Sequence, residues 1–110
     1  MNRESIFSAL DLDDVSSGAY AGEWLETGGT ELDVENPATG ERNGGVKRAD
    51  GADYEKVVAA AADTFEAWRL VPAPERGRYV RVFGDLLREF REPLGALFAL
   101  EMGKIKAEGE

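Results

Sequence analysis

The side chains available for chemistry in this chain are carboxylates, lysine, arginine, serine, threonine and tyrosine, because its 110 residues include no cysteine and no histidine. That absence removes disulfides, thiol nucleophiles, zinc centres and any histidine-based triad or proton shuttle from these residues. Four groupings remain to be weighed. Two glycine pairs, Gly28-Gly29 and Gly44-Gly45, lack the spacing of a dinucleotide fingerprint or a phosphate loop. Neither leads from a strand straight into a helix, where helix amides would face a phosphate, so they read as turn glycines. The acid pair Asp13-Asp14 could contribute to a cation site, but no loop offers the six or more oxygens of a calcium cage. Arg76, Arg78, Arg81, Arg88 and Arg91 could face an anion, yet Asp85, Glu89 and Glu92 stand at helical spacing that permits ordinary surface pairs. Trp24 and Trp68 could stack on a ligand, although an aromatic at the end of an amphipathic stripe is usually core. Nowhere do a nucleophile, a base and an oxyanion hole assemble.

The elements that must position these groups follow from hydrophobic periodicity and turn residues. Residues 1–17 carry Ile6, Phe7, Leu10, Leu12 and Val15 among acids and serines. The spacing permits one or two helical turns in a loosely held terminal arm. Tyr20 and Trp24 alternate with smaller residues as in a short half-buried strand, and residues 27–30 (TGGT) read as a turn. Leu32 and Val34 alternate with Glu31, Asp33 and Glu35 in a second strand that stops at the turn Asn36-Pro37-Ala38-Thr39-Gly40. A returning strand over residues 45–49 would close a hairpin.

Three helices come next. Asp50 suits an N-cap, and Tyr54, Val57, Val58, Ala61, Phe65 and Trp68 keep helical spacing to about Leu70. Pro72 breaks that helix and Pro74 suits the first turn of another, with Tyr79, Val80, Phe83, Leu86, Leu87 and Phe90 on one face. Pro93 opens a third helix with Leu94, Leu97, Phe98 and Leu100 inward, and Gly103 ends it. Residues 104–110 carry no stop signal, so the chain is expected to end inside an unfinished segment. The domain reading is therefore an arm (1–17), a strand and hairpin extension (18–49) and a helical part (50–110).

Composition narrows the classes of partner. The apolar content of 43% is ordinary for a globular protein, and a chain of this length buries only about two-thirds of its unfolded surface. No apolar run approaches the roughly 20 residues of a membrane span. The N-terminus lacks the basic start and apolar stretch of a signal peptide, so a cytoplasmic location is expected. The net charge of −9 resides entirely in residues 1–41, which hold ten acids and the single base Arg3. Nucleic acid and anionic membranes are poor partners for such a surface. Four lysines against nine arginines, in an acid-rich chain, suggest adaptation to high salt.

An ordered string of motifs carries a resemblance. Residues 20–24 (YAGEW), 36–41 (NPATGE), 53–68 (DYEKVVAAAADTFEAW), 72–78 (PAPERGR) and 100–104 (LEMGK) resemble, in order and approximate spacing, the opening of the aldehyde dehydrogenases. Each is weak alone, but five in sequence over residues 18–110 are specific. The phrases PAPERG, GDLLRE and LEMGKIKAEGE look closest to the antiquitin-like branch, which oxidises aminoadipic semialdehyde and related amino-aldehydes. The resemblance implies an α/β parent fold with a Rossmann-like coenzyme domain, of which this chain is the N-terminal hairpin and about three amphipathic helices. It implies an aldehyde substrate, NAD or NADP as cofactor and a homo-oligomer. The full enzymes use a cysteine thiolate, an oxyanion hole and a general base. All of these, with the cofactor-binding glycines and lysine, lie downstream in the family, so no catalytic or cofactor-binding residue maps here. This chain alone is expected to be inactive. Some members hold a structural monovalent cation, which by position would involve Val34 or Glu35 through backbone oxygen and Glu101. The competing reading of Glu101 is local capping or pairing. The alternative to a dehydrogenase piece is a non-catalytic helical interaction module.

Overall fold

The computed structural model describes residues 1–109; Glu110, the last residue of the expected helical part, lies outside the described residues. The order of elements is α1 (Arg3–Ala9), β1 (Val15–Ser17), β2 (Glu31–Glu35), β3 (Arg42–Lys47), α2 (Gly51–Trp68), α3 (Ala73–Glu89), α4 (Arg91–Met102) and α5 (Lys106–Gly109). The three strands form one sheet in the order β1-β3-β2. The hairpin is antiparallel, with Glu31 opposite Lys47 and Glu35 opposite Arg42, and a register shift falls between Val34 and Glu35. The returning strand therefore begins three residues earlier than hydropathy suggests. Backbone pairing sets its bounds, and Gly44-Gly45 sit inside it rather than in a turn.

The first 17 residues are folded rather than a loose arm. Asn2 caps α1 by accepting the Ser5 amide at 2.9 Å, and Ile6 is 2% exposed. The helix packs on α4, and the ring of Phe7 lies over Gly44. The chain then turns back through Asp11, whose φ of 52° is left-handed, a conformation that Asp tolerates better than most residues. β1 pairs parallel to β3, with Val15 opposite Gly45.

Residues 20–24 do not form the expected strand. Gly22 takes a φ of 91° and turns the chain, leaving one isolated bridge between Tyr20 and Trp24. Their rings meet edge-on at 5.1 Å. Trp24 stays 71% exposed, which corrects its reading as core.

The helices begin and end where local chemistry demands. Asp50 caps α2 by accepting the Asp53 amide, and Asp53 returns the contact to the Asp50 amide, a reciprocal capping box. Pro74 lies in the first turn of α3, and Gly103 closes α4 with a φ of 65°. The stripe of α3 faces outward, and that of α4 is inward only in part, with Leu97 and Leu100 half-buried. Tyr79, Val80, Phe83, Leu86 and Leu87 on α3 are exposed, and so are Phe90, Leu94 and Phe98. On α4 the buried side is Gly95 and Ala96, where α1 and α5 approach.

The dimensions tell the same story. The radius of gyration is 16.8 Å, where a compact chain of this length has about 13 Å. The accessible surface is 8078 Å², roughly 2,000 Å² above the value for a compact monomer of this mass. Among the described residues only Ile6, Ala19 and Ala96 are buried apolar side chains. The amphipathic stripe of α3 is present and stands exposed.

Candidate functional site

The polar groups of the sheet region are committed to one another. Arg42 on β3 reaches three carboxylates: Asp33 at 2.6 Å, and Glu31 and Asp14 at 2.8 Å each. Arg3 on α1 takes the other oxygen of Asp14 at 2.5 Å and donates to the Asn43 carbonyl. The Arg42 hydrogen bond holds the Asp14 carboxyl below the usual carboxylate range, with Arg3 adding to it. Asp33 first, then Asp14 and Glu31, push the Arg42 guanidinium still further towards its charged form. With both oxygens of Asp14 spoken for by cations, the Asp13-Asp14 pair is not arranged to ligate a metal. Among the described residues no cluster of three or more acids could hold one.

Asp53 ties the sheet region to the helices. It is 3% exposed and accepts the Gly28 amide at 2.8 Å and the Asp50 amide at 3.1 Å. The Gly28 hydrogen bond first, then that of Asp50, then the Lys56 ammonium at 3.5 Å hold its carboxyl below the ordinary value. Thr27, 2% exposed, donates to the Lys47 carbonyl at 2.7 Å and fixes the same loop to β3. The buried Asn43 Nδ2 has no hydrogen-bond partner.

These contacts decide what the glycine pairs can do. The Gly28 amide faces Asp53, the Gly29 amide donates to Arg48 at 2.9 Å, and the Gly45 amide donates to Asp14 at 2.8 Å. A pyrophosphate cradle needs a run of free amides at a helix start. The residues present do not fit the phosphates of a dinucleotide cofactor.

The arginines of α3 and the positions singled out for a cation separate in space. Arg88 and Arg81 flank Asp85 at 2.7 and 3.9 Å, ordinary pairs along one helix. Val34 is half-buried in β2 and Glu35 is exposed at its end. The turn that follows them reaches the end of α4, where Pro37 lies against Gly103. Glu101 is exposed and borders a different groove, with Leu87, Arg91 and Phe98. The structure thus brings the two segments together without bringing Glu101 onto the strand.

One further feature is apolar. Tyr20 and Gly22 face Val57, Ala61, Phe65 and Trp68 of α2 across an open groove of about 380 Å³. Trp68 continues this face to Tyr79 on α3, their rings 5.7 Å apart. Tyr54, Phe65 and Trp68 of α2 and Tyr79 of α3 leave apolar surface exposed along this face.

Sequence reasoning missed the Arg3–Asp14–Arg42 network and the anchoring role of Asp53. One signal was available: Arg3 and Arg42 are the only bases in the first 42 residues, set among ten acids.

Comparison with known proteins gives the family. The profile described as the aldehyde dehydrogenase family matches residues 24–110. Aldehyde dehydrogenase family 7 member A1 of Pisum sativum is 48% identical over 88 residues, 80% of this chain and 17% of that protein. Alpha-aminoadipic semialdehyde dehydrogenase of Bos taurus is 43% identical over 100 residues, 91% of this chain and 18% of that protein. Malonate-semialdehyde dehydrogenase of Bacillus cereus (strain AH187) is 43% identical over 84 residues, 76% of this chain and 17% of that protein. The chain spans under a fifth of the length of these relatives. The order of motifs, the capped hairpin and helices and the family profile agree, and the chain belongs to the aldehyde dehydrogenase family.

Proposed function

We propose that this chain is the N-terminal scaffold of an NAD(P)-dependent aldehyde dehydrogenase, and that it turns over no aldehyde by itself. The observation that carries this reading is the uncovered apolar face of α2 and α3 in a chain that matches less than a fifth of each relative. That face is suited to the sheet of a Rossmann-like coenzyme domain. The reaction needs a soft nucleophile, an oxyanion hole and a general base, and the 110 residues contain no cysteine. Relatives named for aminoadipic and malonate semialdehydes support a semialdehyde or amino-aldehyde as substrate. NAD or NADP then takes the hydride, at residues other than these, and the assembled enzyme is a homo-oligomer. Purified chain incubated with NAD or NADP and a panel of semialdehydes is expected to give no change in absorbance at the reduced-nicotinamide band. Turnover by verified, purified chain would sink the proposal.

A monovalent cation belongs to the same reading. Carbonyls at the C-terminal end of α4 carry partial negative charge and lie beside the turn after Val34 and Glu35. Potassium or sodium is proposed there on backbone carbonyls, without the Glu101 carboxylate, which borders a different groove. Exchange for a bulky organic cation is expected to lower the melting temperature of the native chain and of Glu101→Gln alike. No shift in either would remove the cation, and a smaller shift in the variant would put Glu101 in the site. A high-salt cytoplasm fits the acidic composition, and unfolding on addition of salt would contradict it.

The exposed helical faces also favour a second reading, a non-catalytic interaction module. A monodisperse monomer with one cooperative unfolding transition and no dye binding would favour the module over the scaffold piece.

A further inference from the structure

We propose that residues 1–17 form a releasable strap over the edge of β3, latched by Asp14. The inference rests on the geometry of this segment and not on the dehydrogenase reading.

Three observations place the strap. Its strand β1 covers one edge of β3 over only three residues, with flanking hydrogen bonds from Gly18 to Lys47 (2.9 Å) and from Gly45 to Asp14 (2.8 Å). Its helix α1 has only seven residues and rests on α4 through the buried Ile6. Asp14, in the link between the two, holds Arg3 of α1 with one oxygen and Arg42 of β3 with the other. Neither part of the strap is stable alone. A helix this short is marginal in water, and a three-residue pairing is weaker still. Attachment therefore opens at lower free energy than the fold as a whole, and a modest electrostatic contribution decides its population.

Release through Asp14 is selective because of what else faces Arg42. Glu31 and Asp33 on β2 hold the same guanidinium. Loss of charge at Asp14 leaves Arg42 bound to the hairpin, while the strap loses its contact with Arg42 and its internal contact with Arg3. The strap keeps the Arg3 hydrogen bond to the Asn43 carbonyl, its one remaining side-chain hydrogen bond to β3 among the described residues. An unlatched strap bares the amides and carbonyls of that edge of β3.

Amide exchange on the 110-residue chain tests the latch. Asp14→Asn and Arg3→Gln are each expected to speed exchange several-fold at Gly18 and Gly45, while the β2–β3 amides and Tyr54 of α2 keep their protection. Raising the salt concentration on the unmodified chain is expected to give the same selective loss by screening, which keeps the test open should a variant fail to fold. Unchanged exchange at Gly18 and Gly45 under all three perturbations overturns the proposal. So does equal loss across strap, hairpin and α2.

Discussion

The sheet region and the helical region solve opposite problems. In residues 1–50 nearly every conspicuous polar group has a partner within the chain: Asp14 and Arg42 on each other, Thr27 on Lys47, Gly28 on Asp53. In α2 and α3 the polar groups pair along the helix, as Arg88 does with Asp85, while Phe65, Tyr79, Val82 and Phe83 stand exposed. The first region has its polar groups paired, with Asp53 of α2 and the face of α4 completing it. The second is a finished helix pair with an unfinished face. Backbone hydrogen bonding and capping are satisfied locally, whereas apolar burial needs a second surface.

This contrast can be broken most severely at Ile6. Truncation of a buried isoleucine costs about 2–5 kcal/mol, so Ile6→Ala is expected to detach α1 from α4, seen as lost amide protection in both. Little change on Ile6→Ala would show that the closed region is no better packed than the open one.

Asp53 joins the two regions and comes next. Replacing a capping Asp such as Asp50 by Ala costs about 1 kcal/mol. Asp53→Ala is expected to lower the denaturation midpoint more than Asp50→Ala, because it also strips the Gly28 amide of its acceptor. The pH dependence has a definite sign. Asp53 and Asp14 both titrate below the ordinary value of 3.8 when folded. Their contribution is present above pH 3.8 and is lost as pH falls through the folded values. The gap between the native chain and Asp53→Asn should therefore shrink on acidification below that pH. A gap that widened would reverse the assignment.

The smallest effect on stability is expected on the open face. Phe83→Glu on α3 alters a side chain that is 61% exposed, and surface substitutions change stability by only about 0.5 kcal/mol. Binding of a hydrophobic dye should nevertheless fall, since the charge interrupts the apolar stripe. A large loss of stability would mean that α3 already packs on something within this chain.

Much of this was legible in the residues themselves. The caps at Asp50 and Gly103, the proline break after α2, the hairpin around residues 36–40 and the absence of thiol or imidazole chemistry follow from local rules that need no knowledge of neighbours. The motif order was enough to indicate the family. Tertiary structure decided what depends on partners distant in sequence. It turned residues 20–24 at Gly22, shifted β3 to Arg42–Lys47, drew Arg3 and Arg42 onto Asp14 and left the stripe of α3 facing outward. Periodicity reports which face of a helix is apolar; only the fold reports whether anything lies against it.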